Sequence, residues 1–118
     1  MNEIILAIES SCDDTSIAIM QQRKVLANVT ANQQIHAEYG GVVPEFASRA
    51  HQQNIVPIIS KALALAKIEI SQVDAIAFTA GPGLLGSLLV GTSFAKSLSL
   101  ALNKPLIEVN HMQAHILA

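Results

Sequence analysis

The chain has 118 residues, of which 51% are hydrophobic and 14% are charged, and its formal net charge is −2. This length suits one domain with a modest core, and so small a charge excludes a chain that binds nucleic acid by electrostatics alone. Cys12 is the single cysteine, which excludes an internal disulfide and is typical of a reducing, cytoplasmic compartment. The first residues lead directly into a strand pattern, so we expect no signal peptide.

Three short apolar segments at the start of the chain predict three strands joined in hairpin order. The segments cover residues 3–8, 16–20 and 25–30, and polar turns separate them. The first of these turns has the sequence ESSCDDT. The polar, glycine-containing stretch over residues 31–43 then predicts a loop.

A helix is predicted from Pro44, because proline is tolerated in the first turn and Glu45 beside it complements the helix dipole. The helical pattern extends to Lys67. Pro57 lies inside this pattern, where proline removes a backbone hydrogen bond and clashes with the preceding turn. We therefore expect Pro57 to kink the helix or to split it in two.

Two further strands are predicted over residues 75–79 and 106–109, with a long helix between them. The apolar run over residues 84–102 has the length of a membrane span, but it contains Lys96 and five serine or threonine residues. We interpret it as a buried helix of a soluble domain rather than as a membrane span. The complete predicted order is β-β-β-α-β-α-β.

Small residues recur every four positions along this second helix, at Gly83, Ser87, Gly91, Ala95 and Ser99. Residues four apart lie on one face of a helix, so these side chains form a ridge that a sheet or another helix can approach closely. Each glycine inside a helix lowers its stability by about 1 kcal/mol relative to alanine. Close packing against the ridge has to offset that cost.

The segment AGPGLLGS follows the predicted fourth strand and opens the second helix. Gly81, Gly83 and Gly86 permit tight backbone turns, and with Ser87 they lie where the free amides of a helix N-terminus point outward. This pattern suits a phosphate, although it has neither the ending of a Walker loop nor the glycine spacing of a dinucleotide fingerprint. An ordinary strand-to-helix turn is equally consistent with it.

The turn ESSCDDT is rich in hydroxyl and carboxylate groups and lies at the end of a buried strand. Asp13 and Asp14 in this turn suit contact with water, a metal ion or a phosphate. Aspartate is also an ordinary turn residue, so a purely structural role for both remains open.

A second polar segment, HAEYGGVVPEFASRAH, surrounds the start of the first helix. Its histidine, acidic and arginine residues are His36, Glu38, Glu45, Arg49 and His51. Glu45 and Arg49 have the four-residue spacing of an ion pair on a helix surface, which is the simplest interpretation of that pair.

His111 and His115 are four residues apart, the spacing that puts two imidazoles on one helix face. Such a pair can ligate one metal ion, although a catalytic site usually has three protein ligands. Surface or helix-capping histidines would give the same pattern. Met112 occupies the position of the glutamate base in the zinc-peptidase motif HExxH, which argues against a thermolysin-like protease.

Taken in order, the segments ESSCDDT, HAEYGGVVPEFASRAH, FTAGPGLLGSLLVG and NHMQAH resemble the TsaD family. Its members are tRNA threonylcarbamoyladenosine transferases, formerly called O-sialoglycoprotein endopeptidases or glycoproteases. The resemblance extends over nearly the whole chain. Two departures are Ser10, where the family often has Thr, and Met112-Gln113-Ala114, where Met-Glu-Gly is common.

The resemblance implies an α/β fold, namely a ribonuclease-H-like lobe of the actin, heat-shock-chaperone and sugar-kinase superfamily, with helices packed on a mixed five-stranded sheet. Family members are longer and have two such lobes. Residues 1–118 are therefore expected to form a single domain, the N-terminal lobe, without the second lobe. The high hydrophobic fraction then reflects a face that the second lobe would cover.

The family reaction moves a threonylcarbamoyl group from threonylcarbamoyl-AMP, an adenylate, to the N6 amine of the adenosine next to the tRNA anticodon. The resemblance implies one divalent metal ion, iron or zinc, held by His111, His115 and an aspartate of the second lobe. This ion would hold and polarise the adenylate.

The resemblance also implies roles for residues in the other segments. The residues expected near the nucleotide phosphates are Gly81, Gly83, Gly86, Ser87, Asp13 and Asp14. Glu45 and His36 are expected to assist proton transfer or to position the substrate.

The isolated lobe is expected to be inactive and to self-associate as a homodimer through its uncovered face. The expected partners are the absent C-terminal lobe, tRNA bound within a complex, a TsaB-like paralogue and other proteins of the threonylcarbamoyladenosine pathway, without a membrane. Three alternatives remain: a non-catalytic TsaB-like scaffold, a sugar- or acetate-kinase lobe, and the metal-dependent glycoprotein endopeptidase of the older family name.

Overall fold

The computed structural model describes residues 3–10, 14–31, 44–81, 83 and 85–110, with the backbone alone over residues 44–52. In chain order the described elements are β1 (Ile4–Glu9), β2 (Thr15–Gln21), β3 (Lys24–Ala31), α1 (Pro44–Ala66), a 3-10 helix (Ile70–Gln72), β4 (Ala75–Gly81), α2 (Leu85–Leu102) and β5 (Leu106–Asn110). The predicted order of strands and long helices is confirmed. Element ends differ from the predicted ones by about one or two residues, as is usual where helices and strands fray.

The strands form one mixed sheet in the order β3-β2-β1-β4-β5. β1 pairs antiparallel with β2, and β2 with β3, whereas β4 runs parallel to β1 and β5 runs parallel to β4. A tight turn at Gln22 and Arg23 joins β2 to β3, and Gln22 takes a left-handed φ of +57° there. Parallel strands need a longer crossover, and α2 supplies it between β4 and β5.

The core lies on one face of the sheet, the core face, beneath both helices. Alternation along β1 places Ile4, Leu6 and Ile8 on this face, with exposures of 8%, 0% and 2%. The strand register sets Leu6 beside Ile19 of β2 and Ile76 of β4, which are also fully buried. The helices complete the core with Ile55, Ile58, Ile59 and Ala62 of α1 and Ala95 of α2.

The opposite face of the sheet, which we call the open face, is covered by neither helix. Ala7 pairs with Ala18 of β2 and with Ala77 of β4, so small side chains form a row across three strands. Glu9 and Thr79 bound the shallow apolar concavity above this row. Within the described residues, the open face is thus a shallow surface that no helix covers, with polar groups at one end.

Pro57 lies inside α1, which is one continuous helix from Pro44 to Ala66. The predicted split is therefore wrong. Pro57 and Gln53, whose carbonyl loses its intrahelical partner, are both exposed, so solvent can satisfy that carbonyl. Burial of Ile55 and Ile58 on either side of the proline holds both halves of the helix against the sheet.

A Schellman motif, in which a left-handed residue lets two backbone bonds close the last turn, ends α1. Lys67 has φ +59° and donates its N–H to the Ala64 carbonyl at 3.2 Å. Ile68 donates its N–H to the Leu63 carbonyl at 3.2 Å. The side chains of Leu63 and Ile68 also pack against the core, as is usual for this motif.

α2 ends in the same way. Asn103 has φ +53° and donates to the Leu100 carbonyl at 3.3 Å, while Lys104 donates to the Ser99 carbonyl at 3.0 Å. The Ser99 hydroxyl donates back to the Lys104 carbonyl, and Pro105 follows. The helix end predicted at Asn103 and Lys104 is confirmed.

α2 has two different sides. By length and composition the helix is apolar enough to cross a membrane, with a mean hydropathy of 1.4, but a core helix of a soluble protein meets the same test. Its inner side packs on β4 and against α1, but only 22% of the helix is buried, so it is less buried than predicted. Its outer side exposes Leu85, Leu89 and Leu100 by 73%, 54% and 83%, which the sequence did not predict.

Candidate functional site

The carboxyl ends of β1, β4 and β5 meet at one edge of the sheet, because these strands are parallel. We call it the carboxyl edge. β1 ends at Glu9, β4 at Gly81 and β5 at Asn110, and α2 begins at this edge with Leu85. In open α/β sheets, ligands bind in crevices outside the carboxyl ends of the strands. The carboxyl edge is therefore the candidate functional site.

Glu9 is fixed at this edge by a hydrogen bond from the neighbouring strand. The Thr79 hydroxyl donates to Glu9 Oε2 at 2.7 Å, in a partly buried position. Both residues lie on the open face, where Ser16 of β2 is the cross-strand neighbour of Glu9. Ser16 and Thr30 share a further hydroxyl hydrogen bond of 2.9 Å, so a polar row extends across four strands.

Ser10 is fixed on the other side of the sheet. Its hydroxyl donates to the Ser87 carbonyl of α2 at 2.8 Å, and the two residues are 2% and 0% exposed. A Cβ at Gly91 would collide with Ser10 Oγ and would stand 3.6 Å from Ile8 Cγ2. Ser87, Gly91 and Ala95 are all buried, so the middle of the predicted small-residue ridge packs on the sheet as expected.

The glycine turn predicted to hold a phosphate lies at the carboxyl edge. Gly81 has φ +149°, a conformation that residues with a Cβ rarely adopt. Gly83 and Gly86 are exposed. Ser87 is fully buried, and its hydroxyl has no hydrogen-bond partner among the described residues.

A groove follows the carboxyl edge between the last two strands and α2. Its outer part is lined by Ala80, Gly81, Glu108 and Asn110. Its inner part continues past Phe78, Thr92 and Lys96. The groove thus offers a glycine backbone, an amide side chain and charges of both signs to a bound molecule.

Asp14 is half-buried at the same edge, immediately before β2. Glu45 lies in the first turn of α1, for which the backbone alone is described. The predicted site residues that lie outside the described residues are Asp13, His36, His111 and His115. The metal site therefore stays a prediction. In the described part of the chain, no three His, Cys, Asp or Glu side chains are grouped closely enough to hold a metal ion.

The sequence did not assign several polar residues that the fold gathers at this edge, namely Glu9, Ser10, Thr79, Glu108 and Asn110. The available signal was position: Glu9 and Ser10 open the ESSCDDT turn, and Thr79 closes the predicted fourth strand. Position alone does not show that these residues are neighbours, and this becomes clear only from the parallel pairing of β1 with β4.

Comparison with known proteins places this fold in a family. The family model described as tRNA N6-adenosine threonylcarbamoyltransferase, TsaD, matches residues 24–118. A relative of that description from Christiangramia forsetii is 71% identical over 114 residues, which are 97% of this chain and 34% of the relative. One from Riemerella anatipestifer is 70% identical over 115 residues, 98% of this chain and 34% of the relative. The chain spans about a third of the length of these relatives.

Two solved structures show the same architecture. YeaZ from Pseudomonas aeruginosa has a TM-score of 0.73 at 24% identity and covers 92% of this chain and 43% of that one. RuvC from T. thermophilus, in complex with a Holliday junction substrate, has a TM-score of 0.55 at 8% identity, covering 94% and 66%. At these identities the likeness shows the fold alone, the ribonuclease-H-like lobe that was expected. Because the family model matches most of its length, the chain belongs to the TsaD family.

Proposed function

We propose that the protein containing this chain transfers the threonylcarbamoyl group of threonylcarbamoyl-AMP to the N6 amine of the adenosine beside the tRNA anticodon. Residues 1–118 would form the N-terminal lobe of a two-lobed enzyme. The observation that carries this proposal is the family match over residues 24–118, together with 71% identity to a relative described as that transferase. The geometry of the carboxyl edge supports it.

The adenylate phosphate would bind at the glycine turn. The first amides of α2 have no partners within the helix, and the helix dipole favours negative charge at this end. Gly83 and Gly86 are exposed, and because glycine has no side chain, neither residue blocks the approach of a phosphate. The adjoining groove past Gly81 and Asn110 would hold the rest of the nucleotide.

A divalent metal ion, iron or zinc, would supply positive charge at this acidic edge. Glu9, Asp14 and Glu108 all lie there, so a bound phosphate requires a compensating cation. β5 ends at this edge with Asn110, and His111 is the next residue in the sequence. Imidazoles of His111 and His115 suit either metal, and an aspartate from the second lobe would complete the protein ligands. When bound, the ion would hold and polarise the adenylate.

Four residues of the turns and of the first helix would contribute to the same reaction. Glu45 lies in the first turn of α1, which follows β3 in the chain. Glu45 and His36 would position substrate or assist proton transfer. Asp13 and Asp14 would approach the nucleotide phosphates.

Partner proteins would supply what this lobe lacks. With a net charge of −2, the chain does not attract tRNA by itself, so tRNA would bind within a complex. A TsaB-like paralogue and other proteins of the threonylcarbamoyladenosine pathway would complete that complex in the cytoplasm. The isolated chain would be inactive, because the third metal ligand would come from the second lobe.

The non-catalytic scaffold alternative has weaker support. It draws on the likeness to YeaZ, which at 24% identity concerns the fold alone. The relatives from Christiangramia forsetii and Riemerella anatipestifer, which are described as transferases, are 71% and 70% identical to this chain over the matched residues.

The proposal is tested with the full-length protein, its partner subunits, tRNA and threonylcarbamoyl-AMP. Replacing both histidines, His111→Ala and His115→Ala, should lower threonylcarbamoyl transfer by at least about 100-fold, because metal ligands are lost. Gln113→Ala lies between the two histidines and is the matched control, which should keep transfer near the wild-type rate.

Two outcomes would contradict the proposal in different ways. A wild-type full-length protein that forms no threonylcarbamoyladenosine would rule out the reaction. A double histidine variant that transfers at the wild-type rate would leave the reaction in place and rule out the metal site.

A further inference from the structure

Two consecutive residues at the end of β1 bind both sides of the glycine turn. Glu9 accepts a hydrogen bond of 2.7 Å from the Thr79 hydroxyl, on β4 just before the turn. Ser10 donates a hydrogen bond of 2.8 Å to the Ser87 carbonyl, in the first turn of α2 just after it. Gly81 at the end of β4, Gly83, and Leu85 at the start of α2 lie between these two attachments.

The attachments lie on opposite sides of the sheet. Successive side chains of an extended chain point to opposite faces, so Glu9 reaches Thr79 on the open face while Ser10 reaches α2 on the core side. Ser10 and the Ser87 carbonyl are enclosed, whereas Glu9 and Thr79 are half-buried. One dipeptide therefore fixes the spacing between the end of β4 and the start of α2.

Gly91 makes the inner attachment possible. A Cβ at this position would collide with Ser10 Oγ and stand 3.4 Å from Ser10 Cβ. Only the absence of a side chain lets α2 approach β1 closely enough for the Ser10 hydroxyl to reach the Ser87 carbonyl. This contact gives a specific reason for a glycine in the interior of α2, where glycine disfavours the helix.

We propose that Glu9 and Ser10 form a positioning clamp that holds the glycine turn and the first turn of α2 at the spacing needed to bind the adenylate phosphate. The inference rests on the proposed function. Backbone amides bind a phosphate well only when they are held in place beforehand, because a misplacement of about 1 Å removes the alignment of their hydrogen bonds. Neither clamp residue has to touch the substrate.

The test compares matched variants of the full-length protein with its partner subunits. Ser10→Ala and Thr79→Val each remove one attachment. Thr30→Val is the control, because it removes the Ser16–Thr30 hydroxyl pair, which lies in the same polar row but away from the glycine turn. Ser10→Thr and Thr79→Ser retain a hydroxyl and test for rescue.

Two measurements are made on each variant. Hydrogen exchange of the peptide over residues 80–91 reports how firmly the turn is held, and steady-state kinetics give separate KM values for threonylcarbamoyl-AMP and tRNA. Ser10→Ala and Thr79→Val should speed exchange and raise the KM for the adenylate about 10-fold, with the KM for tRNA within about 2-fold of wild type. A general loss of folded protein would lower the apparent kcat without this selective change in KM.

Each of the other possible results would overturn either the clamp, its role in binding or the proposed function. Unchanged exchange in both Ser10→Ala and Thr79→Val would overturn the clamp. Faster exchange with an unchanged KM for the adenylate would overturn its role in binding. A full-length wild-type protein without transfer activity would instead overturn the proposed function, and the exchange data would still decide whether the clamp exists.

Discussion

The two faces of the sheet differ in composition, although their residues alternate along the same strands. On the core face, Leu6 and Ile19 are fully buried beneath the helices. On the open face, the intervening positions of β1 hold Ile5, Ala7 and Glu9, which are partly exposed. Burial of large branched side chains stabilises the fold, whereas small and polar side chains leave room for a second surface and for chemistry. One face therefore maintains the fold, and the other, at its carboxyl edge, carries part of the candidate site.

The comparison predicts its largest effect at two neighbouring residues of β1. Leu6→Ala should lower the free energy of unfolding by about 2–5 kcal/mol, because Leu6 is fully buried and the change leaves a cavity. Ile5→Ala on the open face should cost about 1 kcal/mol, since Ile5 is already partly exposed. Urea unfolding of the chain measures both values. Equal losses would show that something covers the open face as completely as the helices cover the core.

The two sides of α2 extend the comparison to a helix. Gly91→Ala should destabilise the chain by about 1–3 kcal/mol, despite alanine's better helix propensity, because the new Cβ displaces the buried Ser10 hydroxyl. Gly86→Ala changes an exposed position of the same helix and should be neutral or stabilising by up to about 1 kcal/mol. Thermal unfolding compares the two variants. A stabilised Gly91→Ala variant would contradict the close approach of α2 to β1.

The outer side of α2 is expected to mediate self-association of the isolated chain. Leu89 is 54% exposed and, with Val56 of α1, lines an apolar groove between the helices. Leu89→Glu should weaken self-association about 10-fold, because a charge would have to be desolvated at the contact. Light scattering over a range of concentrations measures this. A wild-type chain that stays monomeric at high concentration would contradict the expectation.

The smallest effects are expected at the C-terminal ends of the two helices, which lie outside both faces of the sheet. Lys67→Gly should stabilise the chain by about 0.5–1 kcal/mol, because Lys67 has φ +59° and glycine adopts that conformation without strain. Asn103→Gly should gain less, since asparagine tolerates its φ of +53° better than lysine tolerates a similar value. Chemical unfolding measures the free energy of unfolding of each variant and so compares the two gains. A larger gain at Asn103 would contradict this account of the two caps.

Local patterns predicted the elements well because each depends on neighbouring residues. Alternation located the strands, and Asn103 followed by Lys104 and Pro105 located the end of α2. Pro57 was the exception. A local rule predicted a kink or a split, and the split does not occur, because buried side chains before and after the proline keep α1 continuous and the exposed Gln53 carbonyl is open to solvent.

The candidate site was predicted less completely for a related reason. Its glycines and Asp14 were recognisable because each stands in a polar or glycine-rich turn. The bonds that organise the site join Glu9 to Thr79 and Ser10 to Ser87, pairs that are 70 and 77 residues apart in the chain. Nothing in a local window relates such residues until the strands are paired.

By itself, the sequence determined the order of strands and helices, the position of the glycine turn and the resemblance to a family. These follow from periodicity and from conformational preferences that act over a few residues. Only the tertiary structure decided which side of each strand is buried beneath the helices and which residues meet at the carboxyl edge. Parallel pairing of β1 with β4 brings Glu9 beside Thr79, and the close approach permitted by Gly91 brings Ser10 to Ser87.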